Sequence, residues 1–312
     1  MAFRLRPQES VARGLRRLAQ KELRAARDEL RRTTPPRDEA VHEARKSIKK
    51  VRAILELLEA DDGSGVAGSR KRLRDVSRRL SELRDADAMA EILAKLRRKD
   101  PHLISEHTFA RARRQLSAHK RAAMRTAERG GAWKNADREL RKARQAAKRW
   151  RPGHRGFGAL TTGIRSIHRR GRRAMARARK RQGAADFHEW RKQMKALWYE
   201  LRLIEGCTRT IRRDVEALHR AETWLGDDHN VVLLVAELSK DASKCRGLID
   251  LDRLRLVADR YQCELRIKAI ASTRRIYART SRGYVRGVKR AWKAWRRRDT
   301  RARSRRPRRA AA

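Results

Sequence analysis

Residues 41–59 read VHEARKSIKKVRAILELLE, and residues 187–205 read FHEWRKQMKALWYELRLIE. The second stretch repeats the first at a constant offset: 188 − 42 = 146 and 191 − 45 = 146. Successive residues of an α-helix turn by about 100°. At that angle Val41, Ala44, Ile48, Val51, Leu55 and Leu58 form one apolar stripe. Phe187, Trp190, Met194, Leu197, Leu201 and Ile204 form its counterpart. One residue later, His42, Arg45, Lys49 and Arg52 run beside the first stripe, with Lys46 and Lys50 further round. His188, Arg191, Lys195 and Arg202 flank the second, with Lys192 further round. The cations therefore stand at the margin of a core, where long stems lie along apolar surface and the charged heads reach a groove. Like charges in a row on one helix repel. Two helices that both accept this cost point to an anion that offsets it.

Outward from these helices the chain keeps the same character. Its long segments are rich in Ala, Leu, Arg, Glu and Lys, all good helix formers, and no alternating Val/Ile/Thr stretch suggests a sheet. The six prolines fall at edges of periodic stretches. The spacing predicts an all-α chain with helices near 8–32, 38–59, 70–83, 86–98, 103–129 and 133–149. A second set is predicted near 158–181, 185–205, 210–224, 229–240, 249–279 and 283–298. The regular apolar spacing argues against disorder despite a mean hydropathy of −0.89.

The repeat extends beyond the opening helices. GLRRLAQKELRAA from Gly14 resembles GIRSIHRRGRRAM from Gly163, which matches Lys21 with Arg170 and Arg24 with Arg173. LSELRDADA from Leu80 aligns loosely with LGDDHNVVL from Leu225. The Pro- and Gly-containing stretch RPGHRGFG at 151–158 falls near the midpoint. We expect an internal duplication: a first helical bundle in 1–150, a second in 158–298 related to it by a pseudo-twofold axis, and a basic disordered tail in 299–312.

Lys and Arg number 85 against 37 Asp and Glu, a formal net charge of +48. Such a surface repels itself and attracts polyanions. Cys207, Cys245 and Cys263 form no CxxC pair, as expected for reduced thiols. The start MAFRLRPQES has no apolar signal segment, and the apolar run VVLLVAEL at 231–238 is far short of a membrane span. A cytoplasmic protein without a membrane span is expected.

VHEARKSIKKVR and FHEWRKQMKALWYELRLIEG, together with LSELRDADA and LGDDHN, resemble the motifs of the CHAD family, the conserved histidine α-helical domains. The resemblance covers roughly residues 8–280. It implies two four-helix bundles around a basic central cleft and binding of inorganic polyphosphate, in some members at polyphosphate granules. It implies that the histidines and cations of both stripes line the path, extended by Lys21, Arg24, Arg170 and Arg173. The chain departs from the pattern at Ala196, where the family favours a second basic residue, and at Trp198, which stands where Arg52 stands in the first half. Asn230 stands where the first half has Asp85.

No catalytic or metal-binding residues and no cofactor are expected. Asp85 with Asp87 and Asp227 with Asp228 are the only tempting acidic pairs, and each precedes an apolar run as a helix N-cap does. No Walker A loop, HExxH or CxxC motif occurs. The alternative reading is nonspecific binding of RNA or DNA, with the tail RRRDTRARSRRPRRAAA from Arg296 as a contact. Aromatic residues amount to only 5%, few for a reader that stacks bases. Protein partners are not specified by the sequence. His42 and His188 open the stripes, and a bound polyanion is expected to favour their imidazolium forms.

Overall fold

The computed structural model describes residues 3–32, 37–240 and 249–304. Among these the chain is all-α. Its helices are α1 (Val11–Arg31), α2 (Arg37–Ala60), α3 (Ser69–Arg79), α4 (Ser81–Lys99), α5 (Glu106–Arg129) and α6 (Ala132–Ala147). They continue with α7 (Gly158–Arg181), α8 (Ala184–Arg202), α9 (Arg209–Ser239), α10 (Leu251–Ala278) and α11 (Ser281–Ser304). A short 3₁₀ turn, Glu205–Cys207, joins α8 to α9. Several starts are set by side-chain caps. Ser10 Oγ accepts from the Arg13 amide, Ser105 from Thr108, Thr208 from Ile211 and Asp250 from Arg253. Each cap satisfies an amide that has no partner within its helix.

Both apolar stripes are buried along their whole length, from Val41 to Leu58 and from Phe187 to Ile204. They bring α2 and α8 onto each other and α2 onto α7. At the α2–α7 crossing the backbones nearly touch. A Cβ at Gly163 would stand 2.4 Å from Leu57 Cδ2 and 3.1 Å from Leu57 Cα. α1 packs on α2 and α6, α7 on α8 and α11, and α9 on α8, α10 and α4.

The cores do not divide at the midpoint. The larger one runs from Phe3 to Trp292 and takes residues from α1, α2, α7, α8 and α11 among others. The smaller joins α4 and α5 of the first half to the C-terminal part of α9 and the N-terminal part of α10. The 151–158 stretch is fastened to the α2–α3 turn rather than left as a hinge. Ser64 and Arg151 exchange backbone hydrogen bonds of 2.9 and 3.1 Å. Asp61 accepts from the His154 amide at 2.9 Å and lies 2.7 Å from its ring Nδ1.

Three boundaries differ from the sequence expectation. The first-half break falls at Leu80, between α3 and α4, and not near residues 84–85. The predicted helices 210–224 and 229–240 are one helix, α9, which continues through Gly226. α11 continues to Ser304, so the first six residues of the predicted tail are helical, while 305–312 lie outside the described residues. Cys245 also lies outside them; Cys207 is buried and Cys263 exposed, both as thiols. No helix among the described residues is long and apolar enough to cross a membrane.

Candidate anion-binding site

Arg191 and Lys195 stand one turn apart on α8 and both reach Glu222 of α9. Arg191 Nη2 donates to Glu222 Oε1 at 3.3 Å, and Lys195 Nζ donates to the same oxygen. Lys49 and Arg45, their counterparts on α2, bring two more charges to this place, and the fields of Lys195, Arg45, Glu222 and Arg191 all act on the Lys49 amine. Lys195, Arg191 and Lys49 thus act on one carboxylate, which is itself only 8% exposed. One turn beyond Glu222 stands Gly226. A Cβ there would lie 3.4 Å from Arg191 Nη2, so the guanidinium lies directly against α9.

The charges are unequal in consequence. Burial alone would raise the Glu222 carboxyl, but Lys195 and Arg191 outweigh it and hold it below the usual carboxylate range. Burial lowers Lys195 despite its contact with Glu222. Lys49 is lowered to about 6, first by burial and then by the like charges of Lys195 and Arg45. Arginine keeps its proton over the whole working range. Lys195 has the carboxylate in contact. Lys49 is therefore a cation of the cluster that gives up its proton near neutral pH.

The remaining predicted site residues go elsewhere, each for a local reason. Lys46 is held by Glu43 at 2.8 Å and Lys192 by Glu189 at 2.7 Å, so the Glu after each His neutralises the Lys one turn on. Lys50 turns toward α1. Its Nζ lies 2.9 Å from buried Glu22, which also accepts from Ser47 Oγ, and 5.8 Å from the Phe3 ring centre. Arg202 lies over the rings of Phe3, Trp198 and Tyr199. Arg52 is exposed and lies in the field of Glu56, Arg70 and Arg74. Arg170 pairs with Glu56. Lys21 is half-buried on α1; Arg24 and Arg173 are exposed on α1 and α7.

The histidines are placed differently from each other. His42 has 45% of its side chain exposed and lies 4.0 Å from Glu43. His188 is half-buried with its ring centre 4.1 Å from that of His229. Burial and then Arg191 lower His188, and burial together with His188 takes His229 down to about 4. These two rings stay neutral near pH 7, so the expectation of an imidazolium at His188 meets a surrounding that opposes it.

The acidic pairs do not cap helices. Asp87 lies within α4 and bridges to Lys120 of α5 at 2.7 Å. Asp85 likewise lies inside α4. Asp227 and Asp228 sit in the middle of α9. Asp227 takes Lys95 at 2.6 Å and the Tyr261 hydroxyl at 3.2 Å. Asp228 takes Arg266 at 2.7 Å and Gln262 at 3.0 Å. They fasten α4, α9 and α10 around the smaller core. Among the described residues no group of three or more His, Cys, Asp or Glu is placed to hold a metal ion.

Glu222, Gly226, Glu22 and Phe3 escaped the sequence reading. The half-to-half comparison had no means of marking Glu222. At the offset that aligns Leu80 with Leu225, 225 − 80 = 145, its counterpart is Ser77.

Comparison with known proteins agrees with this architecture. The family model for the CHAD domain matches residues 17–239. A solved structure of PptA from Streptomyces chartreusis is similar at 17% identity, over 87% of this chain and 100% of that one, with a TM-score of 0.58. The crystal structure of the CHAD domain from the plant Ricinus communis is similar at 14% identity, over 89% and 96%, with a TM-score of 0.61. At such identities the likeness is one of fold. No curated protein sequence matches the chain.

Proposed function

The chain belongs to the CHAD domain family, and on that premise we propose that it binds inorganic polyphosphate, without catalysis, at the junction of α2, α8 and α9. One observation carries the reading: Arg191 and Lys195 both hold Glu222, and the like charges of Lys195, Arg45 and Arg191 all act on Lys49. Like charges crowd there in a partly buried place, where each is worth more than at the surface. A chain of phosphates supplies the opposite charge. Arg takes two phosphate oxygens at once and Lys acts as a point charge. Lys46, Lys50, Lys192 and Arg170 each hold a carboxylate already and must release it before they contribute. The two sequence halves contribute two cations each, in line with an internal duplication. Recruitment to polyphosphate granules is the setting this reading implies.

All seven Trp are buried or packed partly buried against the core, which leaves no indole platform for stacking bases at this junction. The test is competition at physiological salt between long-chain polyphosphate and tRNA, followed on wild type and Arg191→Ala. Polyphosphate should resist displacement at equal charge concentration. Arg191→Ala should bind it about 10–100-fold more weakly, the scale of one charge-assisted hydrogen bond. Displacement by tRNA, or unchanged affinity in the variant, sinks the reading.

A further inference from the structure

α11 carries a second cationic surface that the α2–α8–α9 junction does not use. Its apolar residues Tyr284, Val285, Val288 and Trp292 are buried against the larger core. Its other face presents Arg282, Arg286, Lys289, Arg290, Lys293, Arg297 and Arg301, all exposed. At about 100° per residue these seven fall within an arc of about 120°. Among the described residues no carboxylate pairs with Arg282, Arg286, Lys289, Arg290, Lys293 or Arg297. Elsewhere Arg27, Arg170, Arg266 and Arg275 are each held by an acid from another helix. Three shallow depressions follow one another along the face and share Lys293. None has an acidic residue in its lining.

From this we propose that the outer face of α11 binds the phosphate backbone of double-helical nucleic acid, DNA or RNA. The match is one of spacing and shape. From Arg282 to Arg301 is 301 − 282 = 19 residues, a rise of about 28 Å. One strand of a duplex presents about eight phosphates over that length of axis, against the seven cations of the face. A single helix is convex and its depressions are open, which suits the edge of a wide, stiff ligand. Tyr284 and Trp292 point inward, and Trp295 is only partly exposed, so recognition rests on the backbone and not on stacked bases. Leu256 and Ile267, the exposed large apolar side chains, lie on α10, which leaves α11 without the apolar anchors of an interfacial membrane helix.

The site is separate from the proposed polyphosphate junction, so its test has two arms on the full chain. Arg286→Gln/Lys289→Gln/Arg290→Gln/Lys293→Gln removes four exposed charges. Lys49→Gln/Arg191→Gln removes two at the junction. Fluorescence anisotropy with a duplex of about 20 bp, DNA and RNA in turn, should show the α11 variant at least tenfold weaker. Its slope of log affinity against log salt should be flatter by about 3 to 4, one phosphate contact per cation lost. The same variant should keep long-chain polyphosphate affinity within about threefold, and the junction variant should behave in reverse. The proposal is overturned if duplex affinity survives the α11 changes. It is equally overturned if duplex and polyphosphate affinity fall together, or if the variant loses binding to phosphatidylserine-containing vesicles while it keeps the duplex. Circular dichroism checks that the helix is intact. Should the fourfold variant lose helicity, Arg286→Gln/Lys293→Gln is read instead, with half the change in slope.

Discussion

Polyphosphate affinity should fall as pH rises from 6 to 8, and Lys49 should be the reason. Burial and the charges of Lys195 and Arg45 bring its amine down to about 6 in the unliganded protein. A bound polyanion reverses the sign of that surrounding and moves the amine back toward the ordinary lysine range. The bound state then has the higher pKa. Affinity from this residue is fully present below the unliganded pKa, and it is lost as pH rises toward the bound-state pKa. At pH 8 the amine must first be protonated two units above its pKa, which costs about 2.7 kcal/mol. Since half the amines are already charged at pH 6, the expected loss between pH 6 and 8 is about fifty-fold. Arginine keeps its charge throughout, His229 at about 4 is neutral over this range, and His188 is lowered too. Long polymer should be used, because terminal phosphates titrate near neutrality and internal ones do not. Calorimetry at pH 7.5 in buffers of different ionisation enthalpy should show about one proton taken up per site. Lys49→Gln should bind more weakly than wild type, by a margin about fifty-fold smaller at pH 8 than at pH 6, and take up little. A wild-type uptake near zero, or the same pH slope in Lys49→Gln, refutes the reasoning.

Three further outcomes follow from the packing. Glu222→Gln leaves Arg191 and Lys195 without their buried counter-charge and should cost about 3–5 kcal/mol of stability; added polyphosphate should then raise its Tm by more than it raises that of wild type. Gly163→Ala places a methyl 2.4 Å from Leu57 Cδ2 and 3.1 Å from Leu57 Cα, so urea denaturation should show a loss of about 1–3 kcal/mol. Glu200, 1% exposed with neither carboxylate oxygen hydrogen-bonded, is raised well above the carboxylate range by burial and by Glu56. Its folded-state pKa exceeds the unfolded one, so its burial costs progressively more as pH rises above the unfolded value. Glu200→Leu should therefore stabilise the protein by about 1–3 kcal/mol at pH 8, with a gain that shrinks toward pH 4. A gain independent of pH would assign the effect to packing alone.

The periodicity of α2 and α8 was readable because burial follows angle. Every residue of both apolar stripes is buried, and the cations one position later do lie at the margin. Periodicity does not say which partner a margin side chain reaches. Lys49 and Lys50 are neighbours in sequence, yet Lys49 joins Lys195 and Arg191, while Lys50 turns to Glu22 on α1. That choice depends on helices packed from two sides. The Asp227–Asp228 pair misled for a related reason. A short polar run before an apolar one looks like a helix start. In α9 it is instead one turn of a continuous helix whose acids bind Lys95, Tyr261 and Arg266 across the smaller core. Gly226 encouraged the same reading, since glycine weakens a helix. Its role is tertiary: it admits the Arg191 guanidinium to the surface of α9.

The net charge of +48 overstates how evenly this protein attracts polyanions. A cation that already holds a carboxylate gains little from a phosphate, because it exchanges one anion for another. Glu43, Glu189, Glu22 and Glu56 neutralise Lys46, Lys192, Lys50 and Arg170 in this way, around the junction and not within it. At the junction Lys195, Arg191 and Lys49 act on the one carboxylate of Glu222, and along α11 six exposed cations have no carboxylate partner among the described residues. The two places differ in what they can take. The junction is partly buried, so an anion that sheds its water gains most there. The α11 face is open, so its attraction is screened by salt and favours a ligand that engages the whole row at once. Binding should therefore follow these two local excesses. Charge-reversing several exposed arginines on α5, such as Arg113 and Arg114, would lower the net charge as much as the α11 substitutions do, and it should leave both affinities nearly unchanged at physiological salt.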